Sequence, residues 1–197
     1  RIHRIHSFQR VNCGFLPMTI YLQREDSFLL QKAVKKSAKS KRVLDMGAGS
    51  GIQAQTALKA GAKNVLAIDI DPEVIAHLKK QNLKAIKSNL FQNVNGKFDL
   101  IVFNPPYLPE DRREDKESAR VTSGGKKGDE ILMRFLKQAP AHLEKNGIIL
   151  LVVSSLTPQN RIINLIKCLN ISRKIIGGEK FFMESLEVWE IKIAEEH

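Results

Sequence analysis

The chain has 197 residues, of which 43% are hydrophobic and 27% charged, and it carries a formal net charge of +11. A chain of this length forms one domain with a full core, and the composition is that of a globular protein rather than a disordered one. The cysteines, Cys13 and Cys168, show neither disulfide nor zinc-site spacing, which fits a reducing compartment such as the cytoplasm. No apolar run reaches the roughly 18 residues of a membrane-spanning helix, so no membrane association is expected.

The first residues are predicted to lie outside the fold. Residues 1–17 begin without an initiator methionine, contain three arginines but no acid, and lack the uninterrupted apolar stretch of a signal peptide. We therefore expect a native start at Met18, an N-terminal extension over 1–17 and a single domain over 18–197.

Much of the remaining positive charge precedes the first predicted strand. The bases of this cluster are Lys32, Lys35, Lys36, Lys39, Lys41 and Arg42. Its simplest interpretation is the solvated face of a helix followed by a linker, which we favour slightly over a nucleic-acid site. A basic surface would equally suit work near a ribosome or an RNA-bound partner protein.

Helices and strands alternate along the first half of the chain. Leu30, Ala33 and Val34 recur at helical spacing and predict a helix over 26–38, which Asp26 or Ser27 can cap. The predicted elements that follow are a strand over 42–46, a helix to about residue 60, a strand over 65–69, a helix that begins at Pro72, a short strand over 85–87 and a strand over 98–103.

The second half begins with a long polar loop over 108–129, in which acids and bases balance. The predicted elements after this loop are an amphipathic helix over 131–143, a buried strand over 147–153, a helix over 158–169, and a hairpin over 171–182 and 186–193 with Trp189 in the core. This alternation predicts an α/β fold, a doubly wound, mostly parallel seven-stranded sheet with an antiparallel last strand.

The apolar strand over 98–103 ends in the tetrapeptide Asn104-Pro105-Pro106-Tyr107. An Asn side-chain oxygen and a backbone carbonyl can each accept one N–H hydrogen bond from a planar nitrogen and hold its lone pair in line with a methyl donor. The prolines stiffen the turn, and the aromatic ring can wall the site and face a cation. The alternative is an ordinary strand-ending turn, because Asn and Pro are common turn residues. The glycine-rich loop nearby favours the catalytic interpretation.

That loop, Asp45-x-Gly47-x-Gly49-x-Gly51, leads from the first strand into a helix. A glycine pattern alone is weak evidence for nucleotide binding. The acid before the first glycine would repel a pyrophosphate, but it can reach the ammonium of S-adenosylmethionine directly or through water. The helix N-terminus after Gly51 can face the cofactor's carboxylate, and Asp69 at the end of the second strand can accept both ribose hydroxyls. The sequence therefore favours S-adenosylmethionine over NAD.

A third segment, Ser88-Asn89-Leu90, follows the short third strand. Asn89 can accept a hydrogen bond from the adenine amine through its side-chain carbonyl, and Leu90 can supply a backbone amide. The alternative for Asn89 is a simple turn residue. All of these segments are predicted at the carboxyl ends of parallel strands, where open α/β sheets bind ligands.

Taken together, these motifs resemble the short, archaeal and eukaryotic type of HemK-like glutamine methyltransferase, a branch that acts on class I translation release factors. The resemblance covers nearly everything after Met18, and it rests on segments 21–30, 45–51, 69–72, 104–107, 123–128 and 178–179. The chain departs from the family pattern at Leu22-Gln23, where proline is usual, and at Asn89, which replaces a common Asp.

The resemblance implies a Rossmann-like methyltransferase fold and N5-methylation of the glutamine in a Gly-Gly-Gln loop, with S-adenosyl-L-methionine as cofactor. It implies that Asn104 binds both cofactor and substrate and that the Pro105 carbonyl accepts a hydrogen bond. The predicted catalytic residues are Asn104, Pro105, Pro106 and Tyr107. The predicted cofactor-binding residues are Ser27, Asp45, Gly47, Gly49, Asp69, Ile70, Asn89, Leu90 and Asn104. No metal ligand is predicted.

Other functions stay open at this point. An adenine or guanine amine methyltransferase of RNA or DNA would share the tetrapeptide and suit the basic charge, but it needs a flipped or single-stranded base. It would also need a target-recognition domain, for which the chain after Met18 leaves little room. A lysine on a basic protein tail is a further candidate substrate. A catalytically silent binding module is disfavoured because every expected site position is occupied.

A partner protein is also expected. The resemblance implies that short enzymes of this kind pair with a small zinc-ribbon activator protein. Independently, the strand over 85–87 is predicted at the sheet edge, where a partner strand can pair with it and contact Leu83 and Ile86. The alternative is an edge protected from pairing by Lys84 and Lys87.

Overall fold

The computed structural model describes residues 25–110 and 122–194. The ranges outside the described residues are 1–24, 111–121 and 195–197, so the predicted extension over 1–17 and part of the segment over 21–30 are not covered.

The described residues form five α-helices. In chain order they are α1 Glu25–Ser37, α2 Ile52–Lys59, α3 Pro72–Lys80, α4 Glu130–Gln138 and α5 Gln159–Cys168. Pro72 opens α3 as predicted, and the Asp71 carboxylate caps the helix by accepting the backbone N–H of Glu73 at 2.8 Å. None of the helices in the described part of the chain is long and apolar enough to cross a bilayer.

Seven strands build one sheet and two short strands pair separately. The strands are β1 Arg42–Met46, β2 Asn64–Asp69, β3 Ala85–Lys87, β4 Phe98–Phe103, β5 Leu108–Pro109, β6 Ser123–Gly125, β7 Leu143–Ser154, β8 Ile171–Lys180 and β9 Ser185–Ile193. The main sheet has the order β3-β2-β1-β4-β7-β9-β8, and β9 runs in the direction opposite to the other six strands. The predicted fold class is therefore confirmed.

The parallel register brings the carboxyl ends of the first four strands of the main sheet to one level. Asp45 on β1 lies opposite Ala67 on β2 and Val102 on β4. Asp69, the last residue of β2, lies opposite Lys87, the last residue of β3. Because all of these strands point the same way, the segments that follow them meet at one edge of the sheet.

Helices cover both faces of the sheet, and alternate residues of each strand contribute to the two resulting cores. On β4, Leu100 packs in the core under α1, α2 and α3, whereas Ile101 packs in the core under α4 and α5. Trp189 is fully buried in the second core, where its Nε1 donates to Glu187 Oε2 at 2.7 Å. The prediction that Trp189 belongs to the core is confirmed.

Two predicted boundaries are wrong. Helix α4 ends at Gln138, and a 3₁₀ turn over Ala139–His142 leads into β7, so Leu143 begins a strand instead of ending a helix. Pro140 explains the change, since proline lacks the N–H that an interior α-helical position donates.

The predicted loop over 108–129 is not wholly irregular either. Its ends form β5 and β6, which pair in parallel, and the Glu110 N–H donates to the Gly125 carbonyl at 2.9 Å. The middle of this loop, 111–121, lies outside the described residues.

The short strand β3 lies at the sheet edge, as predicted. Leu83, however, is buried in the chain's own core, so the expectation that it would contact a partner is wrong. The reason is its approach to the glycine turn: its Cδ1 lies 2.9 Å from where a Cβ on Gly51 would stand. Ile86 is half-buried.

Candidate active site

The glycine turn after β1 is held by the carboxylate at the end of β2. Gly49, with φ of +50°, donates its backbone N–H to Asp69 Oδ2 at 3.1 Å, and Asp71 donates its N–H to Oδ1 at 3.0 Å. Gly51 caps α2 with φ of +80° and lies against α3, where a side chain would clash with Leu78. The turn and β2 are thus fixed to each other by backbone donors.

Asp45 lies beneath this turn and is buried, with Oδ2 accepting the backbone N–H of Ala54 at 2.9 Å. Burial raises the pKa of Asp45 to about 7; the Ala54 hydrogen bond opposes the shift and the nearby Asp69 carboxylate adds to it. The carboxyl group is therefore balanced between its neutral and ionised forms near neutral pH. A cation placed beside it would favour the ionised form.

Asp69 shares this character. Burial raises its pKa above the ordinary range, although the backbone N–H groups of Asp71, Gly49 and Ile70 oppose the shift. Its neighbour Ile70 has 59% of its surface exposed, an uncommon position for a large apolar side chain at the end of a strand. An acceptor and an apolar surface therefore stand side by side at the carboxyl end of β2.

The corner after β3 is contacted by Arg134 of α4, a residue that the sequence interpretation missed. Asn89 is exposed, and its Oδ1 accepts a hydrogen bond from Arg134 Nη2 of α4 at 3.2 Å. A carbonyl oxygen has two lone pairs, so Asn89 can accept a second donor. Leu90 adopts φ of +50° and buries its side chain in the second core, which orients this corner. The predicted adenine contacts of Asn89 and Leu90 stay predictions.

Asn104 follows β4 directly and is oriented by the first turn of α1. Its Nδ2 donates to Asp26 Oδ2 at 3.1 Å, and because a carboxylate only accepts, this contact determines which way the amide points. The opposite atom, Oδ1, is buried and has no hydrogen-bond partner among the described residues. An unmet buried acceptor costs about 1–3 kcal/mol. Such a group is suited to receive an N–H from a ligand.

Asp26 also ties Ser27 to this corner. Its Oδ1 accepts the Ser27 backbone N–H at 2.6 Å and the hydroxyl at 3.3 Å, and both residues are buried. The Ser27 carbonyl in turn accepts from Gln53 Nε2 of α2 at 2.9 Å. Helix α1 already begins at Glu25, so Asp26 belongs to its first turn and serves mainly as a link to Asn104. The prediction that Asp26 or Ser27 caps the helix is therefore wrong, because both lie within it.

The rest of the tetrapeptide is pressed against the glycine turn over 123–128. A Cβ on Gly124 would clash with the Gly128 carbonyl and stand 2.7 Å from the Pro106 carbonyl oxygen. A Cβ on Gly128 would stand 2.6 Å from the Tyr107 carbonyl oxygen, and the Tyr107 side chain packs against the first core. Only glycine permits this approach, so the turn acts as a backbone support for 106–109.

The support is anchored by an ion pair between a buried carboxylate and an exposed arginine, which the sequence interpretation did not identify. Asp129 follows Gly128, is fully buried, and accepts from Arg161 Nη1 of α5 at 2.7 Å. Asp129 Oδ2 has no partner among the described residues. In the sequence, this Asp looks like any exposed helix cap, because the pairing arginine lies 32 residues away.

Two contact networks therefore assemble the predicted residues. The first links the glycine turn, Asp69 and the corner after β3, whose Ser88 N–H donates to the Asp69 carbonyl at 2.8 Å. The second links Asn104, Asp26, Ser27 and α2. Both lie at the carboxyl edge of the sheet, where the prediction placed them. Among the residues that the structure describes, no group of three metal-ligating side chains is found.

Comparison with known proteins points to one family. Residues 25–183 match the family model described as Methyltransferase small domain. A Methanocaldococcus jannaschii protein whose name proposes a protein N5-glutamine methyltransferase is 40% identical over 177 residues, which cover 86% of this chain and 89% of that protein. Mouse Methyltransferase HEMK2 is 30% identical over 151 residues, which cover 68% of this chain and 71% of that protein. Release factor glutamine methyltransferase of Aquifex aeolicus is 31% identical over 148 residues, which cover 66% of this chain and 52% of that protein.

Solved structures share the fold. The E. cuniculi Mtq2–Trm112 complex, described as methylating the termination factor eRF1, contains a chain that matches with a TM-score of 0.74 at 21% identity, covering 89% of this chain and 99% of that one. A ribosomal protein L11 methylase of Lactobacillus delbrueckii matches with a TM-score of 0.65 at 24% identity, covering 89% and 82%. Because both sequence identities are below 25%, these two structural matches establish the fold alone.

We predict that Asp45→Asn stabilises the ligand-free protein, and more strongly at pH 8 than at pH 5. Between the ordinary Asp pKa near 4 and the folded-state pKa of about 7, the folded protein holds a proton that the unfolded chain has released. The contribution of Asp45 to stability therefore falls as the pH rises through this window and is constant above it. Asn stays neutral and can still accept from Ala54.

Urea unfolding at both pH values measures this effect, with the exposed Glu73→Gln as the matched control. An Asp45→Asn effect that is equal at the two pH values would contradict the prediction.

We predict that Gly124→Ala lowers the catalytic rate about tenfold or more, since the new methyl group must displace the carbonyls of Gly128 and Pro106 and a small misplacement of reacting groups costs this much. Gly177→Ala is the control, because its Cβ would meet only Leu29 Cδ1 at an ordinary 3.7 Å. Rates are compared at temperatures at which circular dichroism shows both variants folded. Equal rates would exclude the supporting role of the turn.

Proposed function

The chain belongs to the Methyltransferase small domain family, and from this premise we propose that it methylates the side-chain amide of a glutamine in a class I translation release factor, at N5. The observation that carries the proposal is the buried, unpartnered Oδ1 of Asn104, held in place by Asp26 through Nδ2. The names of the M. jannaschii and A. aeolicus relatives support the choice of glutamine. We infer from this proposed substrate that the reaction takes place in the cytoplasm.

The residues at the carboxyl edge fit S-adenosyl-L-methionine as cofactor. Asp45 and Asp69 are two nearby carboxyl groups whose pKa values are raised mainly by burial, and a bound cation would relieve this cost. Ile70 offers an exposed apolar surface, and Asn89 keeps one lone pair for a second donor. When bound, the cofactor supplies an electrophilic methyl group on a sulfonium.

Asn104 would act on the glutamine amide through hydrogen bonding. The lone pair of an amide nitrogen is delocalised, so the nitrogen attacks poorly until it is held out of resonance and in line with the methyl group. Asn104 Oδ1 would accept one N–H of the substrate and the Pro105 carbonyl the other. A single oriented hydrogen bond of this kind is worth about 10²–10³ in rate. The chain then needs no strong base, because the proton leaves once the nitrogen carries the methyl group.

The geometry favours glutamine over the alternative substrates. A lysine ammonium must lose a proton before it attacks, and Asp26, the carboxylate that contacts Asn104, is occupied by Asn104 and Ser27. A nucleic-acid strand would bring its phosphates to an edge that carries Asp69 and Asp71, which would repel them. An amide substrate meets neither difficulty.

We predict that the chain, offered a release factor and total RNA together with labelled cofactor, methylates the glutamine of the Gly-Gly-Gln loop. Asn104→Ala should lower the rate about 100-fold or more, as the loss of one oriented hydrogen bond implies, while cofactor binding is largely retained. The exposed Asn95→Ala is the matched control. Mass spectrometry of peptides and nucleosides locates the methyl group, and label confined to RNA, or full activity of Asn104→Ala, would overturn the proposal.

We also infer a partner for the edge strand β3. This strand has three residues and pairs on one side only, with β2, so its outer backbone groups can accept a partner strand. The E. cuniculi structure named above is a complex of Mtq2 with Trm112. We propose a small zinc-ribbon activator protein in the same role here, with Ile86 as its apolar contact. The alternative is an edge guarded by the exposed Lys84 and Lys87.

We predict that the chain produced alone is poorly soluble or weakly active, and that co-expression with such an activator restores both, because pairing covers the open edge. Ile86→Asp should abolish co-purification. Ile176→Asp, on the opposite edge strand β8 where Ile176 is 40% exposed, should leave co-purification unchanged. Full activity of the chain alone, or equal loss in both variants, would remove the case for this partner.

A further inference from the structure

The edge of the main sheet opposite the candidate active site is strongly basic. It collects the amino ends of the parallel strands and the carboxyl ends of the helices that alternate with them. The helices contribute bases in their last turns, namely Lys35, Lys36, Lys59, Lys79, Lys80, Lys137 and Lys167. Eight more lie at or just before the strand ends on this edge, namely Lys39, Lys41, Arg42, Lys63, Lys84, Lys97, Lys145 and Lys192. We call these eight residues the basic edge.

Few acids offset this charge. Among the described residues of the same strand ends, the acids are Asp99, Glu144 and Glu190. Glu144 lies 3.8 Å from Arg42 and Glu190 lies 3.0 Å from Lys192. Helix dipoles explain some of the lysines, since each helix carboxyl end carries about −0.5 charge, or about −2.5 for five helices. That is far less than the positive charge present, and the basic edge itself lies outside the helices.

Part of the basic edge is concave. A cavity of about 580 Å³ is lined by lysines from three separate segments of the chain, namely Lys36, Lys39 and Lys41, Lys145, and Lys192. Among the described residues that line it, Glu190 is the one acid. Ammonium groups that converge on a cavity repel each other, and a bound polyanion would relieve that repulsion. This convergence argues against the simplest interpretation of the charge as a solvated helix face.

We propose that the basic edge binds the phosphodiester backbone of RNA. The six strands from β3 to β9 lie about 4.8 Å apart, so the edge extends for about 25 Å. The per-strand phosphate spacing of a duplex is about 3.4 Å, so this length spans several consecutive phosphates of an RNA strand. The edge has seven lysines and one arginine, and lysines act as point charges on flexible stems that contact phosphates without reading bases.

Binding at this edge leaves the candidate active site free. The two edges lie at opposite ends of the same parallel strands, so RNA on one does not cover Asn104 or Asp69 on the other. The chain would thus dock on an RNA-containing particle while a protein acceptor reaches the carboxyl edge. The inference does not depend on the identity of the methylated group.

The test is fluorescence anisotropy of the full chain with a labelled single-stranded RNA at a series of salt concentrations. The variant Lys39→Gln/Lys41→Gln/Lys145→Gln removes three charges from the basic edge. The matched control Lys87→Gln/Lys126→Gln/Lys180→Gln removes three exposed charges away from this edge. We expect the variant to bind about tenfold or more weakly and to lower the slope of log K against log salt by about 2, since each phosphate contact contributes about 0.7. The control should bind within about twofold of the unmodified chain.

Three results would overturn the proposal. Equal losses in the variant and the control would show that only net charge matters. Loss of RNA binding in Asn104→Ala would place RNA at the active site instead. Tighter binding of polyglutamate than of RNA of equal charge would point to an acidic protein. Circular dichroism checks that the variant is folded, and methylation of a release-factor peptide without RNA separates failure of this proposal from failure of the proposed activity.

Discussion

The parallel pairing of β1 with β2 and β4 is the constraint on which the functional edge depends. Main-chain hydrogen bonds hold the ends of these strands at one level, with Asp45 opposite Ala67 and Val102. The glycine turn, Asp69 and Asn104 are therefore neighbours although they follow three different strands. A shift of one residue in any of these pairings would turn side chains to the other face of the sheet and separate the groups.

The site retains polar groups that weaken the ligand-free fold. Asp45 is buried with a pKa of about 7, and Asn104 Oδ1 and Asp129 Oδ2 are buried without a partner in the described part of the chain. Such costs matter, since the stability of a folded protein is a small difference between large and opposing free energies. Buried polar atoms that lack a hydrogen-bond partner at this edge of the sheet are better explained as contacts for a ligand than as a result of core packing. The other oxygen of Asp129, Oδ1, accepts from Arg161, so this carboxylate also anchors the supporting turn to α5.

The two edges of the main sheet carry charges of opposite sign. The carboxyl edge carries Asp26, Asp45, Asp69 and Asp71, and the opposite edge carries mainly lysines. The division follows from the α/β topology, because parallel strands place all amino ends on one side and all carboxyl ends on the other. A family member with this topology can therefore change the residues of one edge without altering those of the other.

The sequence by itself determined the alternation of the main helices and strands, the position of β3 at the sheet edge and the segments of the candidate site. Proline at the start of α3, glycines before α2 and the tetrapeptide after β4 are local signals, because each restricts the backbone where it stands. Only the tertiary structure decided which side chains meet. Asn104 and Asp26 are 78 residues apart, Asp129 and Arg161 are 32 apart, and Leu83 is buried against the glycine turn. Such contacts depend on how packed helices bring distant segments together, and no local periodicity records that.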